Sequence, residues 1–345
     1  MLSSLPGETS KYMKKIIAGA IFALAAATAA TDYKIVAKYP VPGTGGWDYI
    51  TLDPVSRNLY ISHATQVEVL NVDTGKMVGT IEDTPGVHGA AIGSKYGFTS
   101  NGRENKVSVF DLKTLKTIKK LDVGKGPDGI YYDAGTKRVF TNNHGTHDIT
   151  VIDAEKAEVV GTIKVEGDGE QAILAKDGLY YLNIEDTAEV VAFDPKSMNV
   201  VKRYAIGVAK TPTGLAYSAK TNHLFIGCRE KPLMVVMDAA TGKIVTSFPI
   251  GAGVDWAEFD ASTGTAFTSS GGDGTIGAFL EKSATEYVNV GPIPTMVSAR
   301  TMAFDAKTKK IFLPAAEYTV TPAEAGKKAA RAMKAGSFQV LVLGK

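Results

Sequence analysis

Apolar and polar residues alternate along most of this chain in short runs, as in Lys106-Val107-Ser108-Val109. A period of two predicts half-buried β-strands. The strands recur as a set. One aromatic residue stands inside the second strand of each unit, at Tyr60, Phe98, Phe140, Tyr180, Phe225, Phe267 and Phe312, spaced by 38, 42, 40, 45, 42 and 45 residues. A second marker is an Asx residue ending the third strand, at Asn71, Asp111, Asp153, Asp194 and Asp238. The strands that follow read MVGTIED, TIKKLDV, VVGTIKV, VVKRYAI and IVTSFPI. Four strands in about 42 residues is the size of a propeller blade.

Each position has a physical reason. Small residues open the innermost strand, as in Gly89-Ala90-Ala91, Gly129 and Gly214-Leu215-Ala216, because blades converge at the axis. The aromatic supplies apolar burial between neighbouring sheets. The Asx side chain accepts backbone N–H groups in the tight turn after it. The seventh unit, from Thr301, has three strands, and Ile35–Val41 matches the missing fourth. The expectation is an all-β, seven-bladed β-propeller of four-stranded antiparallel blades, closed by an N-terminal strand that covers an open edge. Residues 31–345 form one domain. Blade 6 has Leu280 where Asp is expected, and blade 7 carries an insertion at 315–336. Thr321-Pro322-Ala323-Glu324 reads as a helix start, which predicts a short helix over Ala325–Ala335 stopped by Gly336.

The N-terminus breaks the pattern. Lys14-Lys15, the uncharged run Ile16–Ala27 and Ala27-Thr28-Ala29 read as a secretory signal covering 1–30, with 1–12 a start-site extension. The run is shorter than a membrane span, and the mature chain has no transmembrane segment. This places the protein in the periplasm or outside the cell. The 345 residues carry 38 Lys and Arg against 36 Asp and Glu. Losing Lys11, Lys14, Lys15 and Glu8 with the signal brings the net charge from +2 to zero, which argues against nucleic acid as a partner. The single cysteine, Cys228, excludes a disulfide framework. The mature protein is expected to be a monomer.

The units TPGVHGAAI, GKGPDGIYYDAGTKRVFTNN and VIDAEKAEVVGTIKV resemble the YVTN-repeat, YncE-like family of secreted seven-bladed β-propellers, over about residues 33–345. That resemblance implies an extracytoplasmic propeller with no shared reaction. The fold alone does not choose a function. No C-x-x-C-H is present, which excludes covalent haem.

Propeller topology sorts the loops onto two faces. On the face called top here, inter-blade loops give Asp48, His88, Asp128, Glu170, Thr213, Asp255 and Arg300 at corresponding positions. The loops after the second strands add His63, Arg103, His144, His147, Glu185 and Arg229. The opposite face is basic, with Arg57, Lys76, Lys95, Lys113 and Lys243 among its turn residues. Three readings stay open. The first is binding of a small molecule or protein partner at the top-face mouth of the axial channel, through His63, His88, Asp128, His144, Glu170 and Arg300. The second is a metal-assisted hydrolase or lyase with a divalent ion held by His63, His88 and His144 and Asp128 or Glu170 as base, since imidazole is a common ligand for such ions. The third is a scaffold acting through the basic face. No short catalytic signature decides whether the chain is an enzyme.

Overall fold

The computed structural model describes residues 32–321 and 330–345. Seven antiparallel sheets follow one another as blades around an axis. Blade 1 comprises Trp47–Asp53, Asn58–His63, Gln66–Asn71 and Lys76–Ile81, in that order from the axis outward. Blades 2 to 5 repeat the order from Val87, Pro127, Gly169 and Lys210. Blade 6 starts at Val254, and its outer strand is split into Tyr287–Asn289 and Ile293–Pro294, both paired with Thr275–Glu281. Blade 7 comprises Ala303–Asp305, Lys310–Ala315 and Gln339–Gly344, with Lys34–Pro40 as its outermost strand. The N-terminal strand thus closes the ring, pairing from Lys34 with Gly344 to Pro40 with Gln339.

The core is divided among the blade interfaces. Seven buried apolar clusters each join one blade to the next: Tyr60 with Val87 and Phe110, Phe98 with Val139, and so on to Phe312 with Leu59. Every interface fully buries at least one aromatic, each contributing roughly 1.5–3 kcal/mol of transfer free energy. The repeat marker in blade 4 needs a correction. Tyr181, and not Tyr180, packs onto blade 5, beside Leu215 and Leu224. Tyr180 turns back onto blade 3, beside Phe140. A slip of one residue flips a strand side chain to the other face, and two adjacent tyrosines left the choice open. The Asx turns form as expected: Asp111 Oδ1 accepts from the Thr114 backbone N–H at 2.7 Å, and Asp238 Oδ1 from that of Thr241 at 2.8 Å.

The blade 7 insertion differs from expectation. Tyr318–Thr321 pairs with Ala330–Met333 as a two-stranded antiparallel hairpin. The predicted helix is therefore absent over 330–333, where strand pairing overrides the helical preference of the alanines. Its first half, and the signal segment 1–30, lie outside the described residues. Arg57 also leaves the basic face, being buried and paired with Asp305 and Asp73.

Candidate functional site

The innermost strands of blades 1 to 6 each have an irregularity near their top. The register against the second strand shifts between Trp47 and Ile50, Val87 and Gly89, Pro127 and Ile130, Gly169 and Ala172, Pro212 and Gly214, and Val254 and Trp256. Asp48, His88, Asp128, Glu170, Thr213 and Asp255 sit in these shifts. A bulge leaves a residue outside the ladder and re-aims its side chain. Here it places one polar residue per blade at the mouth of the channel. Arg300, just ahead of the short inner strand of blade 7, is the seventh.

The bulges are fastened to the preceding blade. Ser100 Oγ donates to the Asp128 carbonyl, Asn142 Nδ2 to that of Glu170 at 2.8 Å, Asn183 Nδ2 to that of Gly214 at 2.9 Å, and Ser269 Oγ to that of Arg300. Thr301 Oγ1 donates to the Asp48 carbonyl at 2.8 Å across the closure. Polar residues near the ends of the second strands thus hold the site. A residue two positions beyond the aromatic, in blades 1, 2, 3 and 6, was a sequence signal for them.

Charges alternate around the mouth from Asp128 to Glu185. His88 Nδ1 lies 2.7 Å from Asp48 Oδ2 and 3.6 Å from Asp128 Oδ2. Arg300 donates to Asp48 Oδ1 at 3.1 Å and to Asp255 Oδ2 at 2.7 Å. Arg229 pairs with Asp255 and, at 3.1 Å, with Glu185. Glu185 lies against Glu170. The sequence Asp128, His88, Asp48, Arg300, Asp255, Arg229, Glu185, Glu170 runs through all seven blades. Burial lowers the proton affinity of His88, but the Asp48 hydrogen bond and the Asp128 and Asp48 charges outweigh it and bring its pKa to about 8. Burial pushes the Asp128, Glu170 and Asp255 carboxyls up.

The mouth has a floor. Tyr49 Oη crosses the channel from blade 1 and donates to Glu170 Oε2 at 2.7 Å. The Tyr49 ring packs on Trp256, with centroids 5.1 Å apart. Gln171 spans blades 4, 5 and 6, accepting from the Leu215 and Ala257 backbone N–H groups and donating to the Ala257 carbonyl. Below this waist is a cavity of 280 Å³, lined by Tyr49, Gln171 and Trp256. Above it, two adjoining hollows of 440 and 510 Å³ share Gly46, Trp47 and Arg300. The first is lined by Arg229, Arg331 and Tyr318, the second by His88, Arg103, Asp128 and His144. The aromatic and amide residues that close the channel were missed in the sequence, where the signal was bulk directly after a ring position.

The structure brings together five of the six expected site residues. His88, Asp128, Glu170 and Arg300 belong to the ring or its edge, and His144 Nδ1 faces Asp128 Oδ2 at 3.7 Å. His63 stands apart. It is buried, packs at a tilt on Phe338 with ring centroids 4.4 Å apart and lies beneath Gly43, whose positive φ of 96° and missing Cβ leave room for the imidazole. Neither His63 ring nitrogen has a hydrogen-bond partner among the described residues. The expected His63, His88, His144 ligand set is therefore corrected: His63 shares the parity of Leu59 and Ile61, which face blade 7 rather than the axis. Among the described residues, ligating atoms converge in two groups, Asp48 with His88 and Asp128, and the more exposed His147 with Asp168 and Asp186. Cys228 is buried, and burial pushes its thiol up to about 12, so it is no nucleophile.

Comparison with known proteins agrees with this fold. The sequence model of the YncE-like β-propeller family matches residues 90–254. An uncharacterized protein of Salmonella typhi, YncE, is 23% identical over 154 residues, which are 43% of this chain and 42% of that protein. The match thus spans less than half of that curated relative. A chain of the hydrazine synthase of Kuenenia stuttgartiensis superposes with a TM-score of 0.68 at 17% identity, over 86% of this chain and 97% of that one. U3-55K does so with a TM-score of 0.73 at 10% identity, over 91% and 98%. At such identities the structural likeness speaks for the fold alone.

Proposed function

We propose that this chain, a YncE-like β-propeller, is an extracytoplasmic binding protein that takes a small ligand, or the end of a partner, carrying an anionic group at its top-face mouth. The location rests on the Lys14-Lys15, apolar, Ala-x-Ala series at the N-terminus. The observation that carries the binding reading is the charge around Asp255. Two guanidinium groups, Arg229 and Arg300, share this one buried carboxylate, and each is about 40% exposed towards the hollow. Arg331 adds a third cation, held over the Tyr318 ring at 4.8 Å. Trp47 and Tyr318 supply flat apolar walls. A concave site with a few converging polar groups is the usual form of a ligand pocket, and guanidinium groups suit carboxylate and phosphate. The closed waist makes the mouth the approach for such a ligand.

The test uses the purified chain with citrate and inorganic phosphate as probes. Binding by titration calorimetry at low ionic strength is expected for at least one. It should weaken roughly tenfold in Arg331→Ala, the effect of one charge-assisted hydrogen bond. Lys243→Ala, on the opposite face, should leave it unchanged. Absence of binding by both anions, or equal loss in both variants, overturns the anionic reading.

A further inference from the structure

We infer that Asp48, His88 and Asp128 form a binding site for one divalent transition-metal ion, with His144 as a fourth ligand. The inference rests on the reading of the mouth as a ligand site and adds a metal ion to it.

The first observation is the convergence. One ligating atom from each of Asp48, His88 and Asp128 lies within 4.8 Å of the others. The three come from three consecutive blades, each presented by a bulge of its innermost strand. A tetrahedral ion bound at about 2.0–2.2 Å holds its ligand atoms roughly 3.3–3.6 Å apart. His88 Nδ1 and Asp128 Oδ2 are already at 3.6 Å. The 2.7 Å contact between His88 and Asp48 must open, and His144, which stands outside this convergent group, must draw in from its place beside Asp128.

The second observation is an incomplete hydrogen-bond arrangement on the other side of Asp128. His144 Nε2 lies 2.9 Å from the Gly169 carbonyl, which has only lone pairs to offer. The proton of a neutral imidazole must therefore be on Nε2. Its Nδ1 then turns a lone pair towards Asp128 Oδ2, 3.7 Å away, so that two acceptors face each other whenever Asp128 is ionised. Asp128 is 8% exposed, and its other oxygen, Oδ1, has no hydrogen-bond partner among the described residues. A cation in this space resolves the conflict. The backbone carbonyl that fixes the tautomer of His144 is the arrangement that commonly orients a metal-bound histidine.

The donor set selects the ion. Two carboxylates and one or two imidazoles, without a thiolate, suit Zn²⁺, Co²⁺ or Ni²⁺ better than the soft Cu⁺. Imidazole excludes a site built for Mg²⁺ or Ca²⁺, which take oxygen ligands. The hollow above, shared with Arg300, leaves a face of the ion open to the anionic ligand.

The experiment is titration of the full chain, stripped with chelator, with Co²⁺ and with Zn²⁺. One equivalent is expected to bind, with visible d–d absorption for Co²⁺ that one equivalent of Zn²⁺ abolishes. His88→Ala and Asp128→Asn should each weaken binding at least tenfold, and His144→Ala less. His63→Ala and His147→Ala should leave it unchanged. Thermal melts of every variant separate a lost ligand from a lost fold. Failure to bind either ion, or loss in His147→Ala with retention in His88→Ala, overturns the site. Citrate or phosphate binding by a chain that takes no metal would leave the mouth standing and remove only the ion.

Discussion

Arg57 ties the first blade to the last. Its Nη1 donates to Asp305 Oδ1 at 3.0 Å, and its Nε reaches Asp73 at 3.1 Å. The Asp305 side chain is 2% exposed. Burial pushes this carboxyl up, but hydrogen bonds from Arg57 and Thr308 outweigh it and hold it at about 2. Arg57→Met should therefore leave a buried carboxylate without its main partner, at a cost of about 3 kcal/mol at neutral pH. A folded pKa below the unfolded one contributes stability that is present above the unfolded value and lost as pH falls through the folded one. The gap between wild type and variant in urea unfolding should thus narrow from pH 4 to pH 2. An equal gap at both ends, or no gap at pH 7, would show that the pair does not hold the closure.

At the scale of the element, the outermost strand of blade 7 comes from the other end of the chain. Lys34–Pro40 pairs with Gln339–Gly344, and Ile35, Ala37 and Tyr39 pack on the clusters joining blade 7 to blades 6 and 1. Tyr33 adds an edge-on contact with Phe267 at 5.7 Å and a hydrogen bond to the Lys309 carbonyl at 2.7 Å. Removing 33–41 should expose the 339–344 edge and uncover these clusters. The expected outcome is a lower midpoint of thermal unfolding, by 5 °C or more on the order of a few kcal/mol lost, and concentration-dependent association through the open edge. A truncated chain that melts with the parent and stays monomeric would mean that the strand does not close the ring. The remaining outer strands show why an edge needs management. They keep Val78, Ile118, Val160 and Val201 half in solvent, and lysines such as Lys76 and Lys119 interrupt the apolar row.

Across the whole molecule, seven interfaces leave an axis that must be filled or hydrated. The upper part is filled by buried acids. Burial pushes the carboxyls of Glu170 and Asp128 up: that of Glu170 is raised further by the Asp128 charge, and that of Asp128 by the Asp48 charge, against the opposing charge of His88. Glu258, on the inner strand of blade 6 beside Trp256 Nε1 at 2.9 Å, is raised by burial to about 7. A folded pKa above the unfolded value contributes stability that is present below about 4.5 and lost as pH rises through about 7. The protein should be more stable at pH 5 than at pH 8, and Glu258→Gln should flatten that slope. The measurement is the unfolding free energy by denaturant at both pH values. An unchanged slope in the variant would place the dependence on the other acids, and a slope of opposite sign would refute the account.

The chain's own period and turn chemistry determined the blades. An alternation of two, an aromatic inside each second strand and an Asx ending the third strand of blades 1 to 5 are local features, and local rules read them. The count of seven followed, as did closure by Ile35–Val41, since one unit lacked a strand that another segment supplied. Local reading failed where two neighbours competed, as with Tyr180 and Tyr181, and where pairing overrode propensity, as in Ala330–Met333. The top-face positions Asp48, His88, Asp128, Asp255 and Arg300 were also legible, because each follows from its place in the repeat. What they do together was not. Residues about 40 apart in sequence meet only after six bulges and the ring closure fix their directions, so tertiary structure decided that His88 lies between two aspartates. It likewise turned His63 under Phe338, made Arg229 and Arg300 share Asp255, and closed the channel with Tyr49. Such contacts depend on side-chain direction at the ångström scale, and no spacing along one strand carries the position of the next blade.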